Sequence, residues 1–290
     1  MSRNSIIRKL TKKFNNWVET IEDEHIRNLV KERAFITGGA IVSLLQGEEP
    51  NDIDVYFVDL ETVEKVTDYY VAQWNKTHKR PVERKTADGR VKVWIQSYGI
   101  ASEADEDNHS KMTGEQIEEA KRNRKPYRPM FLSSNAISLS DDVQLITRFY
   151  GSPEQVHESF DFVHTKCYFV PKTKQLVLPA KSLEAIIMKT LTYDGSLYPI
   201  ASILRAKKFI KRGWKINAGQ YLKMIFQIKD LDLSNVRVLE DQLTGVDQFY
   251  FNMIIAMLQK HSNENPGVDV SNEYVVDVIN KVFDGESEEV

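Results

Sequence analysis

The sequence predicts a mixed α/β (α+β) fold, in which a mixed sheet with flanking helices is followed by a helical lobe. Apolar residues recur at helical spacing at the start of the chain, short β-prone runs alternate with helical patterns up to about residue 178, and the pattern beyond Pro179 is largely helical. We therefore expect amino-terminal amphipathic helices over 1–30, an α/β domain over 31–178 and a helical domain over 179–290.

Composition is that of an ordinary globular protein. Of 290 residues, 41% are hydrophobic and 28% are charged, and the formal net charge is -3. A nearly neutral chain offers a nucleic acid no overall attraction, so such a partner has to be held by local basic patches. The single cysteine, Cys167, excludes an internal disulfide and a Cys-rich zinc site. No apolar run is long enough for a signal-peptide core or a membrane span, and we expect a cytoplasmic protein with no membrane partner.

The elements of the α/β domain follow in a readable order. A β-prone run over 34–37 stops at two glycines, a helix is predicted over 40–46 and ends at Gly47, and an extended run covers 53–58. Further strands are predicted over 136–139 and 143–150, and an aromatic, β-branched run over 160–170 is typical of a central strand. A polar stretch at about 102–129 indicates a solvated insertion, helical over 114–124.

Gly38 and Gly39 stand between a predicted strand and a predicted helix. Glycines let the backbone approach a ligand without a Cβ in the way. Because a helix follows, its amide groups and the positive end of its dipole point into the turn. The pattern favours a phosphate-binding turn, suited to a triphosphate.

Asp52 and Asp54 are separated by one residue. In a strand both carboxylates project from the same side, while Ile53 points to the opposite face. Their mutual repulsion is relieved by a cation, and hard oxygen ligands are those that Mg²⁺ prefers. The pair therefore predicts a metal site beside the phosphate-binding turn. The competing interpretation is a polar loop entering a strand, with the two glycines as an ordinary turn.

The segment 34–58 resembles the signature of the DNA polymerase beta superfamily of nucleotidyltransferases. Its Gly-Gly, the short helix ending in Leu-Leu-x-Gly and the Pro-x-Asp-Ile-Asp run are most similar to the head of CCA-adding enzymes and related poly(A) polymerases. Bacteriophage nucleotidyltransferase-like proteins also look similar. The resemblance implies a nucleotidyltransferase fold. It departs at Val42-Ser43, where CCA-adding enzymes carry Arg-Asp, and no Arg-Arg-x-Asp motif follows, which speaks against CCA addition itself.

The superfamily also implies a third carboxylate on a later strand. Asp161, between two phenylalanines in the run over 160–170, is our candidate, because an acid in an aromatic strand is costly to bury without compensation. Asp141 and Asp142 are the alternative. They lie in a polar turn, where aspartate is favoured for turn chemistry alone.

The resemblance implies a two-metal site for Mg²⁺ or Mn²⁺, held by Asp52, Asp54 and Asp161, which are also the expected catalytic residues. The reaction that the resemblance implies moves an NMP from an NTP to an acceptor hydroxyl and releases pyrophosphate. The expected nucleotide-binding residues are Gly38, Gly39, Ser43, Arg205 and Lys208.

Six of the eleven residues from Arg205 to Lys215 are basic, with Phe209 and Trp214 between them. This segment could hold a phosphate backbone and stack a base, which makes RNA, including a tRNA end, the favoured acceptor. The alternative is a solvated helix face with aromatic core anchors. Two other functions remain open: transfer to a protein or small molecule, and a catalytically degenerate fold that serves as an interaction module. If the chain is phage-encoded, the expected compartment is the host cytoplasm.

Overall fold

The computed structural model describes residues 1–78, 81–87, 89–94, 100–102, 125–133, 135–233, 235–243, 248–264 and 271–284. The chain divides into two compact units. The first comprises Met1–Glu158 and His164–Ile186, and the second comprises Ser159–Val163 and Ile187–Val290.

Three long helices of the first unit begin at polar residues whose side chains accept amide hydrogen bonds. Ser2, Asp23 and Asp59 each cap the helix that follows. The helical spacing predicted near the amino terminus buries one face of the first helix. The helices are α1 (Arg3–Val18), α2 (Glu24–Arg33), α3 (Gly39–Gln46), α4 (Leu60–Thr77) and the short α5 (Pro153–His157).

An eight-stranded mixed sheet forms the centre of the first unit, in the order β10-β9-β1-β2-β8-β7-β6-β5. Strands β2 and β8 run parallel, and the other neighbouring pairs are antiparallel. Strands β3 and β4 form a separate hairpin. The strands are β1 (Ala34–Thr37), β2 (Ile53–Phe57), β3 (Glu83–Ala87), β4 (Arg90–Trp94), β5 (Ile100–Ser102), β6 (Pro129–Ser133), β7 (Ala136–Leu139), β8 (Val143–Tyr150), β9 (Tyr168–Val170) and β10 (Gln175–Val177).

Two adjacent rows of side chains cross five strands of this sheet, from β9 to β7. Residues paired across strands share a face, and successive residues along a strand alternate between faces. The apolar row is fully buried and anchors the core: Phe169, Ile36, Val55, Leu145 and Ile137. The next row lies on the opposite face, and we call it the polar row: Tyr168, Thr37, Asp54, Gln144 and Ser138.

The second unit is helical, as the spacing beyond Pro179 predicts. Apolar residues from several helices form one buried cluster that includes Leu204, Leu239, Ile254, Leu258 and Val278. Helix α6 (Ala180–Met188) follows β10, and its residues up to Ile186 belong to the first unit. The helices of the second unit are α7 (Pro199–Lys211), α8 (Ala218–Ile228), α9 (Val236–Gln242), α10 (Gln248–Glu264) and α11 (Asn272–Asp284). The predicted fold class, a mixed sheet with flanking helices and a helical carboxyl-terminal part, is confirmed.

The central strand predicted over 160–170 is wrong over most of its length. Only Tyr168–Val170 is a strand, and Val163–Thr165 forms a 3-10 turn. Residues 161–163 instead form backbone hydrogen bonds within the second unit. Asp194 N donates to Asp161 O (2.8 Å), and Val163 N donates to Thr192 O (3.0 Å). Of the insertion predicted at about 102–129, residues 103–124 and the helix predicted over 114–124 lie outside the described residues.

Candidate active site

The turn between β1 and α3 is held open by one glycine. Gly38 has φ 93° and ψ -151°, a conformation that side-chain-bearing residues rarely adopt, and it caps α3 without a side-chain hydrogen bond. Gly39 is the first residue of α3. The amides of the first helical turn therefore face away from the helix with no side-chain cap from Gly38, which is the geometry that binds anions.

Strand β2 brings the acidic pair to this turn. Asp54 lies opposite Thr37 in the antiparallel β1–β2 register. Thr37 is the residue that directly precedes Gly38. A Cβ placed on Gly38 would stand 3.2 Å from Asp54 Oδ2. Asp52 is exposed just before β2, whereas Asp54 is half-buried. The sheet thus joins the two features that the sequence singled out separately.

The surroundings of Asp54 disfavour the ionised form of its carboxyl group. Burial removes water from it, and the nearby charge of Asp52 repels its anion, so the pKa of Asp54 is raised to about 8. Among the described residues, no lysine or arginine forms an ion pair with Asp54. A divalent cation at this place would favour the ionised carboxylate and so lower the pKa of Asp54.

The donor set fits a hard divalent cation. Asp52 and Asp54 supply carboxylate oxygens next to the Gly38 turn. Mg²⁺ usually takes one or two carboxylates and completes its shell with waters and phosphates. Among the described residues, no cluster of three or more His, Cys, Asp or Glu side chains has the arrangement of a metal site. The acidic pair offers two carboxylates, so the rest of a cation's shell would have to come from other oxygen ligands.

The strand on the other side of β2 presents an amide to Asp54. Gln144 of β8 is its partner in the parallel register, and Gln144 Nε2 donates to Ser138 Oγ of β7 at 3.3 Å. Gln144 was missed by the sequence analysis, since only the pairing of β8 with β2, which are far apart along the chain, brings it to the site.

A buried hydrogen-bond chain supports the end of β1. Thr37 Oγ1 lies 2.8 Å from Cys167 O and 2.8 Å from His157 Nε2. The hydroxyl has one proton, which goes to the carbonyl, so His157 Nε2 must donate to Thr37 and the ring is the Nε2–H tautomer. Burial, aided by the charge of Lys166, lowers the pKa of His157 to about 4 and keeps the ring neutral. No sequence signal marked His157.

Asp141 and Asp142, the alternative acids, serve the turn between β7 and β8. Both have positive φ (61° and 57°). Asp141 Oδ2 accepts hydrogen bonds from Tyr127 N (3.1 Å) and Ser140 Oγ (3.0 Å), and Asp142 forms a 3.8 Å ion pair with Lys13. Turn chemistry accounts for these two residues.

The remaining predicted residues are placed as follows. In the second unit, the buried Asp161 accepts a hydrogen bond from Arg205 Nε through Oδ2 at 2.7 Å. Lys208 is exposed on α7, and Ser43 is buried within α3 of the first unit. The catalytic, metal and nucleotide-binding roles of these residues stay predictions.

The basic segment from Arg205 to Lys215 exposes four of its six basic side chains and buries its tryptophan. Trp214 is 3% exposed and contacts Phe209 edge-on, with ring centroids 5.6 Å apart, and Phe209 contacts Phe162. Base stacking by Trp214 is therefore wrong, since the ring is a core anchor. The exposed cations are Lys208, Lys211, Arg212 and Lys215.

Within the described part of the chain, no helix has both the length and the apolar character needed to span a membrane.

A protein-family model described as "Gabija anti-defense 2 family protein" matches residues 8–189. The chain is 22% identical over 226 residues to Gabija anti-defense 2 of Bacillus phage SPbetaL7, which covers 77% of this chain and 44% of that protein. The chain thus spans less than half the length of this curated relative.

Two solved structures are similar at low identity. One is the Thermotoga maritima CCA-adding enzyme complexed with tRNA, at 12% identity and a TM-score of 0.40, covering 95% of this chain and 61% of that chain. The other is the Bacillus stearothermophilus CCA-adding enzyme in complex with CTP, at 14% identity and a TM-score of 0.41, covering 84% of this chain and 52% of that chain.

Proposed function

Because the chain belongs to the Gabija anti-defense 2 family, we propose that it counteracts Gabija defence as a metal-dependent nucleotidyltransferase of the DNA polymerase beta type. A relative comes from a Bacillus phage, and we place this protein in the host cytoplasm as a phage product. The observation that carries the proposal is the approach of the Asp54 carboxyl to the Gly38 turn, with Asp52 beside it. Anion-binding amides and cation-binding carboxylates at one place suit a metal–triphosphate.

Each part of the first unit has a role toward the nucleotide. The amides after Gly38 bind triphosphate oxygens, and the dipole of α3 favours their negative charge. Asp52 and Asp54 would hold the divalent cation, Mg²⁺ or Mn²⁺. When bound, the cation supplies positive charge next to the phosphate oxygens and the departing pyrophosphate. His157 fixes Thr37, and through it the backbone that enters the turn.

The reaction is an in-line displacement at the α-phosphorus of an NTP. The acceptor oxygen forms a bond to this phosphorus, the bond between the α-phosphorus and the bridging oxygen breaks, and pyrophosphate leaves with that oxygen. The acceptor hydroxyl proton passes to water. The chain positions the triphosphate and stabilises its charge, which is most of what catalysis of such a transfer requires.

RNA, including a tRNA end, is the acceptor that we favour. The exposed cations Lys208, Lys211, Arg212 and Lys215 support this choice, because a chain with a net charge of -3 needs a local basic patch to hold a polyanion. A protein side chain or a small molecule is the alternative acceptor for the same chemistry.

A labelling experiment tests the proposal. The purified chain is incubated with each α-³²P-labelled NTP and Mg²⁺, with total RNA or total protein from cells that carry Gabija. We expect label in the RNA, and at least about a hundredfold less with the double variant Asp52→Asn, Asp54→Asn. Glu61→Gln, which removes an exposed acid of α4 in the same unit, is the matched control and should label normally.

The same variants should be expressed in Gabija-carrying bacteria that are infected with a Gabija-sensitive phage. Loss of phage plating in the double variant, but not in Glu61→Gln, supports transfer as the anti-defense activity. If the double variant protects the phage as well as the parent chain does, nucleotidyl transfer is not the activity.

One observation favours an interaction module as a second candidate. Helix α8 buries only Met224, whereas Leu222, Ile225 and Phe226 are 50%, 53% and 62% exposed. Apolar residues clustered on one exposed helix face are typical of a binding surface. In this case Phe226→Ser would abolish phage protection and leave nucleotide binding unchanged.

A further inference from the structure

We propose that Gln144 occupies the third ligand position beside Asp54, so that the acidic pair binds one divalent cation at a time and not the two expected from the sequence. This inference rests on the proposed function, because it concerns the same site. It identifies an uncharged side chain of this chain as the residue that sets the number of ions.

The sheet defines which side chains can join Asp54. On its face of β2, the direct cross-strand neighbours are Thr37 on β1 and Gln144 on β8. Paired residues on one face stand about 5 Å apart at Cβ, so both neighbours lie within ligand range. Neither of these two direct neighbours of Asp54 is acidic.

The hydroxyl of Thr37 already has hydrogen-bond partners within the protein. Its hydroxyl hydrogen bonds with Cys167 O and His157 Nε2, each at 2.8 Å, and its side chain is fully buried. The hydroxyl therefore donates once and accepts once within the protein. The Thr37 side chain is fully buried, whereas Gln144 is half-buried, so Gln144 is the neighbour that a cation can reach.

Gln144 can offer an amide oxygen but no charge. Within the described residues, the hydrogen bond of its side chain is the one from Nε2 to Ser138 Oγ. An amide oxygen is an acceptable ligand for a hard cation, yet it does nothing to offset the charge of a second ion.

Charge then limits the number of ions. Two divalent cations at the separation of about 4 Å found in two-ion sites repel each other four times as strongly as two unit charges would. Asp52 and Asp54 supply two negative charges when both carboxylates are ionised. One divalent cation matches this pair, whereas a second lacks the carboxylate that would hold it.

The experiment counts bound Mn²⁺ by electron paramagnetic resonance at pH 8, with the full chain and a nonhydrolysable ATP analogue. Mn²⁺ bound to the analogue alone is subtracted. We expect about one ion per chain for the parent protein and about two for Gln144→Glu, which adds a carboxylate of nearly equal shape. Gln144→Ala removes the amide without adding charge and should stay at about one.

The outcomes separate this inference from the proposed function. Two ions on the parent chain, or one ion on a folded Gln144→Glu chain, would overturn the inference and leave the proposed function intact. No ion on the parent chain would overturn both. If Gln144→Glu does not fold, as judged by thermal unfolding, the count on the parent chain still decides.

Discussion

Asp54 Oδ2 lies 3.2 Å from the point where a Cβ on Gly38 would stand. Two observations therefore favour glycine at position 38: its φ is 93°, and the Asp54 carboxylate leaves little space for a Cβ. Contacts of 3.0–3.4 Å are tighter than ordinary Cβ contacts, so a side chain at position 38 would displace Asp54. The Gly38 turn and the acidic strand β2 are coupled through this contact.

Gly38→Ala should disturb both backbone and site. We expect it to lower the free energy of unfolding by about 1–3 kcal/mol, because alanine at this φ is strained, and to weaken Mn²⁺ binding by shifting Asp54. Isothermal titration with Mn²⁺ and chemical denaturation measure the two effects. Gly47→Ala is the matched control, since Gly47 has φ 83° but no atom near its Cβ position. Equal loss of Mn²⁺ binding in both variants would contradict the coupling.

The raised pKa of Asp54 predicts a pH-dependent stability in metal-free buffer. The pKa of the Asp54 carboxyl is about 8 in the folded chain, against 3.8 for an ordinary aspartate, so the folded chain holds an extra proton between these two pH values. The stabilising contribution is present at low pH and is lost as the pH rises through 8. Asp54→Asn removes this dependence. Urea denaturation of both chains at pH 5 to 8 with EDTA should show the parent falling relative to the variant.

Binding of a cation should release the same proton. At pH 7 the Asp54 carboxyl is largely protonated, so Mn²⁺ binding should expel close to one proton, seen by titration calorimetry in buffers of different ionisation enthalpy. Parallel pH curves for parent and variant, together with binding that releases no proton, would contradict the account of Asp54.

Much of the fold could be predicted because its signals are local. The strands Ala136–Leu139 and Val143–Tyr150 have the predicted bounds, and α3 and β2 differ by one residue from the predicted ranges. The strand predicted over residues 160–163 is wrong, since an aromatic, β-branched run predicts a strand whatever its tertiary surroundings. Tertiary pairing with residues 192–194 decided otherwise, and that pairing leaves no periodic trace in the sequence.

The candidate site was predicted only as far as one segment of chain contains it. Gly38, Asp52 and Asp54 lie within 17 residues, and the strand–turn–helix–strand order suffices to bring them together. Gln144 reaches the site because β8 pairs with β2. His157 reaches it through a buried hydrogen bond with Thr37, which lies 120 positions earlier in the chain. Residue types cannot reveal such partners without the register of the sheet. The register of the sheet places Gln144, and no acid, directly across from Asp54 on β8.

The buried chain through Thr37 makes a further prediction. Thr37→Val leaves Cys167 O without its donor and His157 Nε2–H without its acceptor, so we expect a loss of about 2 kcal/mol in the free energy of unfolding. Thr37→Ser keeps the hydroxyl and should lose clearly less. Since the pKa of His157 is lowered to about 4, its neutral form stabilises the fold above pH 6.5, and this contribution is lost as the pH falls through 4.

Nitrogen-15 chemical shifts of the His157 ring provide the direct measurement. A neutral ring protonated at Nε2 is expected at pH 7. A ring protonated at Nδ1, or equal stability of the valine and serine variants, would show that the hydroxyl does not bridge the two partners as described.

The ion pair of Asp161 with Arg205 predicts a structural role for both residues. Asp161 is 7% exposed, and Arg205 Nε donates to its Oδ2 at 2.7 Å. Arg205→Met should cost about 3 kcal/mol, because it leaves a buried carboxylate without its partner, and Asp161→Asn in the same chain should recover part of this loss. Thermal and urea unfolding of the double-mutant cycle give the coupling. The single variant Asp161→Asn should keep its bound Mn²⁺, since the carboxylate is already neutralised by the guanidinium. A folded Asp161→Asn chain without Mn²⁺ would instead make Asp161 the third metal ligand that the sequence predicts.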